Sequence, residues 1–309
     1  ASTRLRANSA DCGSGYGSGT LGKTLSSSTN PRPLELIDKI VMSIANAAKG
    51  LFPKSTSAFW AAGPLRQFCS TKLELGLPPS CPPNIEFHVL RDPSKTTVDQ
   101  LVDCLARGFC EEPMTHAIAK RASLRHADLY PIWREFVEPF VDEVTTNNLS
   151  VIAIDTAASQ ANNVAAVCIS RDFASEIPSR SEKALSKSVL RPTFEVLTKV
   201  DEAYLQATTE WDHSPGEEAD IWMVATNSGY QRMGLANTLM QLCLNQFKEE
   251  GFKRAVVEAT GAYSQAAARK AGYETIVELE YSKFLIGKET PFALIDPVHS
   301  HFRFMAQNI

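Results

Sequence analysis

IWMVATNSGYQRMGLANTLMQLCLNQF, the stretch at residues 221–247, places a short polar turn between an apolar segment and an amphipathic one. Ile221–Ala225 predicts a strand, and the helical spacing of apolar residues over Leu235–Glu250 predicts a helix. A turn at this position directs main-chain N–H groups of the helix start into one concavity, where the helix dipole adds positive charge. Gly234 allows close approach to the backbone, and Arg232 adds a full positive charge. The arrangement suits a phosphate or pyrophosphate, although glycine after a strand is also common without a ligand.

The composition of the 309-residue chain is that of a globular protein without an overall basic surface. Its hydrophobic fraction is 44% and its charged fraction 21%, which argues against disorder throughout. The formal charge of −4 makes nucleic acid a poor candidate partner. The apolar runs are far shorter than the ~20 residues of a membrane-spanning helix. Seven cysteines without a CxxC pair favour reduced thiols, and neither a disulfide scaffold nor a metal site is expected.

The amino-terminal part differs in composition from the rest. Residues 1–33 are rich in Ser and Gly, and Asp11 is their only acid. This composition predicts a flexible tail or an organelle transit segment, so a plastid or other organelle is one expected location and the cytoplasm the alternative. Residues 34–84 predict an amphipathic helix followed by an irregular arm. That helix docks on its own domain in one interpretation, and on a partner protein or membrane surface in the other.

Residues 85–309 predict one α/β unit, in which a central mixed sheet is covered by helices. Residues 171–190 are expected to form a long loop, and Glu217, Glu218 and Asp220 a solvated turn before a strand. The expected strands are Ile85–Val89, Ser150–Ile154, Val164–Ser170, Ile221–Ala225, Arg254–Glu258, Tyr273–Phe284 and His301–Ala306. The expected helices are Thr97–Phe109, a short one after Pro113, Leu129–Thr145, Phe194–Trp211, Leu235–Glu250 and Tyr263–Ala271.

Three motifs carry a resemblance to a known family. Gln231–Ala236 after a strand, together with Lys270–Tyr273 at the opening of a later strand, resembles the acetyl-CoA signature of the GNAT superfamily of N-acetyltransferases. Residues 107–114, RGFCEEPM, resemble a segment of the insect-type arylalkylamine N-acetyltransferases, the dopamine acetylators. The similarity covers about residues 85–309. It implies a mostly antiparallel mixed sheet of about seven strands, splayed at the acetyl-CoA site.

The resemblance also implies which residues hold acetyl-CoA. Main-chain N–H groups of the turn would hold its pyrophosphate, and the main chain of the signature strand would pair with its pantetheine arm. The residues that match this role are Met223, Val224, Ala225, Gln231, Arg232, Met233, Gly234, Leu235 and Ala236.

Three further residues match catalytic positions of the subfamily, and Tyr263 is a fourth candidate by its position. Glu112 matches the catalytic base, although a carboxylate before Pro113 also suits the first turn of a helix. Thr260 and Ser264 match two functional hydroxyls, and helix capping is the alternative role of both. Tyr263 lies where a phenol could reach the departing sulfur, or it simply packs.

The resulting hypothesis is an enzyme that transfers acetyl from acetyl-CoA to a small primary amine, arylalkylamine or polyamine-like, by direct attack. The alternative is an inactive structural or binding subunit of a larger organellar assembly, for example in a plastid, tethered by its amino-terminal arm. The bare run Ala266–Ala268, where the subfamily has a polar or basic residue, favours this alternative.

Overall fold

A computed structural model describes residues 81–309, except residues 145 and 146 and the side chains of residues 142 and 143. The expected tail at 1–33 and nearly all of the arm at 34–84 lie outside the described residues. The described residues all belong to one compact unit.

The centre of this unit is a seven-stranded sheet with the order β1-β2-β3-β4-β5-β7-β6. Adjacent strands are antiparallel except β4 and β5, which are parallel. The mostly antiparallel mixed sheet expected from the sequence is therefore confirmed. Its strands are β1 (Ile85–Val89), β2 (Val151–Asp155), β3 (Val164–Asp172), β4 (Glu218–Thr226), β5 (Arg254–Ala259), β6 (Glu274–Glu280) and β7 (His301–Asn308).

Seven α-helices of the described residues cover the two faces of the sheet, and none of them is long and apolar enough to cross a bilayer. One face carries α1 (Lys95–Cys110), α2 (Pro113–Ala122), α3 (His126–Val144), α4 (Ser179–Ser186) and α5 (Arg191–Ala207). The opposite face carries α6 (Leu235–Glu249) and α7 (Ala262–Lys270).

Apolar residues at helical spacing pack on both faces of the sheet. Leu101 and Leu105 of α1 and Trp133 of α3 are fully buried in the first core. Leu239 and Phe247 of α6 are fully buried in the second. Because burial of each such side chain contributes roughly 1.5–3 kcal/mol, these two layers fix the helices on the sheet.

The parallel strands β4 and β5 pair over only four residues each. Their register runs from Glu218 opposite Arg254 to Ile221 opposite Val257. Beyond this point β4 continues to Thr226 bonded to β3, and β5 continues to Ala259 bonded to β7. The two strands therefore separate, and a gap opens between their carboxyl ends, as the sequence resemblance implied.

Two predictions of secondary structure were wrong. The expected loop at 171–190 contains α4, because Ala184 and Leu185 bury an apolar face and Ser181 donates a buried hydrogen bond to the Phe136 carbonyl at 2.7 Å. The last long strand ends early: β6 stops at Glu280, and a 3-10 turn over Tyr281–Lys283 follows. In the first place tertiary burial outweighs the local polar pattern, and in the second the buried Tyr281 begins the turn.

The expected solvated turn at residues 217–220 was also wrong, because Glu218 and Asp220 lie inside β4 and are 1% exposed. Glu218 accepts hydrogen bonds from the Tyr204 hydroxyl at 2.7 Å and from Arg254, and bonds His213 at 2.6 Å. Asp220 pairs with Arg171 at 3.2 Å. The acids are buried because basic partners arrive from other strands, which the local sequence does not reveal.

We expect Glu218→Ala to lower the free energy of unfolding by about 3 kcal/mol, because the change leaves the partly buried Arg254 guanidinium without its carboxylate. Glu217→Ala is the matched control, since Glu217 pairs with the exposed Lys253 at 3.1 Å and an exposed pair contributes less than about 1 kcal/mol. Urea denaturation at pH 7 measures both. Equal losses in the two variants would contradict the assignment of Glu218 as a buried structural anion.

Candidate active site

The turn before α6 has an open helix N-terminus. Gly234 is the N-cap residue with φ 81°, a left-handed conformation that favours glycine, and no side chain caps the helix. Arg232 also has positive φ, 66°, and its side chain is exposed. The first N–H groups of a helix have no intrahelical acceptor, so Gly234, Leu235 and Ala236 present donors at the positive end of the α6 dipole.

A cavity of about 330 Å³ lies at the gap between β4 and β5. The α1–α2 junction, α3, α5, the start of α6, the segment from β5 into α7 and His299 complete its lining. The structure brings together seven of the residues singled out from the sequence: Glu112, Met223, Val224, Ala236, Thr260, Tyr263 and Ser264. The remaining candidates Ala225, Gln231, Arg232, Met233, Gly234 and Leu235 do not line it. Ala225 is buried instead, and its Cβ lies against Gly108.

Glu112 caps α2 and also lines the cavity. Its Oε2 accepts hydrogen bonds from the Thr115 N–H at 2.9 Å and the Thr115 hydroxyl at 3.3 Å. Its Oε1 is buried and accepts no hydrogen bond from the described residues. One oxygen of the Glu112 carboxylate, Oε2, therefore caps α2, and the other, Oε1, is left to accept a proton.

The electrostatics of this carboxylate favour a proton acceptor. Burial raises the pKa of Glu112, because a low-dielectric environment disfavours the charged form. The Thr115 and Met114 N–H groups and the neighbouring Thr260 hydroxyl act in the opposite direction, since they stabilise the anion. An anion with an elevated pKa binds a proton more strongly than an exposed glutamate does.

The three hydroxyl candidates surround the start of α7, where Gly261 is the N-cap. The Ser264 hydroxyl donates to the Gly261 carbonyl at 2.9 Å and accepts from the Gly261 N–H at 3.2 Å, so its capping role is observed. Thr260 precedes the cap, and its carbonyl accepts from the Tyr281 hydroxyl at 2.7 Å. The Tyr263 side chain is 77% exposed at the cavity rim.

His299 is a cavity residue whose role the sequence reasoning missed. Its Nδ1 accepts a hydrogen bond from the Ala262 N–H at 3.0 Å, and its ring meets Tyr263 edge-on at 5.3 Å. This contact assigns the proton of the neutral ring to Nε2. Burial lowers the pKa of His299, which favours that neutral form. His299 and His301, two residues apart, were the available signal in the sequence, but this spacing alone does not indicate a cavity.

The cavity walls are mainly aromatic. The Phe109 and Trp133 rings lie 4.9 Å apart, and Trp133 meets Phe136 edge-on at 5.6 Å. Trp222 of β4 and the acid Glu258 of β5 line the same cavity. The helix expected at Leu129–Thr145 contains Phe136, but the sequence carries no signal that this side chain borders a cavity.

A surface cluster beside the cavity groups Glu111, His116 and His126, with one potential ligand atom from each within 4.8 Å of the others. Both imidazoles already contact Glu111, at 3.2 and 2.8 Å. We therefore assign these contacts to polar side-chain interactions on the surface between three helix ends.

Comparison with known families identifies part of this architecture. Residues 201–273, from α5 to the end of α7, match the model of the acetyltransferase (GNAT) family. This segment contains the signature turn and the diverging strands. No curated protein matches the chain significantly.

Solved structures show the same fold. Arylalkylamine N-acetyltransferase 2 from Aedes aegypti is 21% identical, with a TM-score of 0.58 over 73% of this chain and 99% of its own. The mosquito arylalkylamine N-acetyltransferase like 5b is 20% identical, with a TM-score of 0.55 over 73% and 100%. The Drosophila melanogaster polyamine N-acetyltransferase is 16% identical, with a TM-score of 0.51 over 73% and 100%. The resemblance stated from the sequence is thereby confirmed at the level of the fold.

The cap made by Glu112 leads to a stability prediction. We expect Glu112→Ala to destabilise the protein by about 1 kcal/mol, because the Thr115 N–H loses its acceptor. Glu112→Gln should lose less, since its amide oxygen can accept the same hydrogen bond. Urea denaturation of both variants measures the difference. Equal destabilisation of the two would show that the side-chain oxygen does not cap α2.

Proposed function

We propose that the GNAT acetyltransferase domain of this chain transfers an acetyl group from acetyl-CoA to a small primary amine, arylalkylamine or polyamine-like. The observation that carries the proposal is the position of Glu112, which lines the cavity at the gap between β4 and β5 and whose buried Oε1 accepts no hydrogen bond from the described residues. The open N-terminus of α6 follows β4 at the same end of the sheet. The proton acceptor Glu112 and a helix end suited to phosphate, the N-terminus of α6, thus lie at one cavity.

The chain's own groups fit acetyl-CoA. The uncapped N–H groups of Gly234, Leu235 and Ala236 suit the pyrophosphate, and the left-handed Gly234 leaves no Cβ to obstruct it. The exposed Arg232 adds a matching charge. Where β4 leaves β5, the edge of Met223–Ala225 that faces the gap is free to pair with an extended amide chain.

Acetyl-CoA supplies a thioester carbonyl that a neutral amine can attack directly. Glu112 then has one task, which is to accept the proton of the incoming ammonium at Oε1, directly or through water. The Thr115 bonds to Oε2 hold the carboxylate in place during this step. The aromatic walls exclude water from the amine and strengthen its interaction with the carboxylate.

The hydroxyls at the start of α7 serve orientation and the departing thiol. Ser264 is held by the Gly261 main chain and lines the cavity, so it can orient the amine or donate to the sulfur. The Thr260 hydroxyl stabilises the Glu112 anion. Tyr263 is exposed at the rim and offers a phenolic proton to the leaving thiolate.

The competing hypothesis keeps this domain as an inactive subunit of an organellar assembly, with residues 1–84 as its tether. It requires neither acetyl-CoA binding nor a basic Glu112. The two experiments that follow therefore separate the hypotheses.

Isothermal titration calorimetry of the full chain with acetyl-CoA should show micromolar binding. Gly234→Asp should abolish it, because a carboxylate would lie against the phosphates. Gly234→Asn is the matched control, since Asn has the same shape and also tolerates positive φ, so it should retain more of the affinity. Absence of heat with the unchanged protein would eliminate the enzyme and favour the scaffold.

Glu112→Gln should lower kcat by about 10²–10⁴-fold, because the amide cannot accept the proton. Acetyl-CoA affinity should stay nearly constant. The unchanged enzyme should lose activity on acidification above the usual titration range of glutamate, since the raised pKa protonates the base early.

Glu111→Gln is the control for this change, because Glu111 is exposed and does not line the cavity. Initial rates from pH 5 to 9 with a panel of primary amines measure all three proteins. Equal turnover by Glu112→Gln and the unchanged chain would remove Glu112 from the role of base.

A further inference from the structure

A second cavity, of about 350 Å³, lies beside α1 at the edge of the sheet formed by β1 and β2. Its walls come from the end of β1, the start of α1, β2 and the loop that joins β2 to β3. It shares no lining residue with the cavity at the gap between β4 and β5, so it is separate from the proposed active site. Its volume falls in the range of small-molecule sites.

One wall of this second cavity is held in place by a glutamine of α1. The Gln100 Nε2 donates to the Gln160 carbonyl at 2.9 Å. The Gln100 Oε1 accepts from the Asn163 N–H at 2.9 Å and from the Val164 N–H at 3.2 Å. Because these three bonds fix the loop between β2 and β3, a ligand meets a wall that is already ordered, and little binding free energy is lost to ordering it.

Apolar side chains form part of the lining. Leu90 and Ile152 are each 3% exposed and belong to the core under α1, and Ile154 packs against the same core. The Ser94 and Thr97 hydroxyls, which also line the cavity, bond each other at 2.9 Å, and Ser94 caps α1. The lining therefore combines apolar contact with hydroxyls that already have partners.

The lining contains one permanent cation, Arg91, in the segment after β1. Its Nε is buried and donates to no acceptor among the described residues, and no described carboxylate pairs with its guanidinium. The other basic side chain of the lining, His88, contacts Glu86 at 3.4 Å. A buried donor without an acceptor is unfavourable, so Arg91 indicates a site for an anion.

From this arrangement we infer that the second cavity binds a small organic monocarboxylate, which pairs with Arg91 and packs its apolar body on Leu90 and Ile152. A guanidinium matches the two oxygens of a carboxylate with parallel hydrogen bonds. The apolar lining favours a ligand with a hydrocarbon body, and a single permanent cation favours one negative charge. Inorganic phosphate, which has no hydrocarbon body, would leave the apolar lining uncovered.

Ligand-observed saturation-transfer NMR of the full chain with acetate, butyrate and hexanoate tests the inference. Hexanoate should bind with a dissociation constant of about 1 mM or tighter. Affinity should increase by at least about twofold for each added CH₂, since complete burial would give about fourfold. In competition with hexanoate, 1-hexanol and inorganic phosphate should each bind at least about tenfold more weakly, because one lacks the charge and the other the apolar body.

Arg91→Met keeps an unbranched side chain and removes the charge, so it should weaken hexanoate binding by at least about tenfold. Arg180→Met is the matched control, since Arg180 is exposed on α4, pairs with Glu138 at 3.1 Å and does not line the cavity. It should leave the affinity unchanged. Arg91→Lys keeps the charge without the planar fork and should have an intermediate affinity. Thermal unfolding verifies that each variant is folded.

Absence of hexanoate binding to the unchanged chain would overturn the inference. Equal binding by Arg91→Met would overturn it too, because the carboxylate would then lie elsewhere, for example at the N-terminus of α6. Displacement of hexanoate by an equal concentration of phosphate would also overturn it, since the apolar body would then contribute nothing. The measurements report binding alone, so their outcome is independent of whether the chain transfers acetyl groups.

Discussion

Beyond Ile221 and Val257 the backbones of β4 and β5 no longer bond each other, while β3 and β7 keep the outer edges of the two strands paired. Where the two strands separate, the main-chain N–H and C=O groups on their facing edges lose their partners. The outer edges of both strands stay hydrogen-bonded. The cavity, the open N-terminus of α6 and the start of α7 all lie around this split because β4 leads into α6 and β5 leads into α7. Every proposed role of a side chain in acetyl transfer depends on this single interruption of the hydrogen-bond ladder.

The α1–α2 junction brings Glu112 to the split. Its two carboxylate oxygens have separate surroundings, because Oε2 is held by Thr115 and Oε1 is buried without a donor. The capping bonds stabilise the anion, and burial opposes them and raises its pKa. A helix cap thereby fixes the orientation of a group that is also suited to accept a proton, so the structural and chemical interpretations of Glu112 are compatible.

The described residues include two kinds of buried acid. Glu218 and Asp220 have basic partners, Arg254 and Arg171, and belong to the structure. Asp201 and Glu258 contact each other instead, and burial raises the pKa of both. A buried acid without a basic partner tends to keep its proton, because a low-dielectric environment disfavours the charged form.

The sequence by itself determined the succession of strands and helices over residues 85–309, except α4, and the turn at Gln231–Ala236. These features depend on apolar periodicity and on glycine at positive φ, which are local properties. It also singled out Glu112, Thr260, Tyr263 and Ser264, through motifs rather than through any contact visible in the chain. Only the tertiary structure decided that these residues share a cavity, that His299 and Glu258 join them, and that Glu218 is buried. Pairing across the sheet and burial between layers join residues far apart in the chain, and neither leaves a periodic signal at the residues involved.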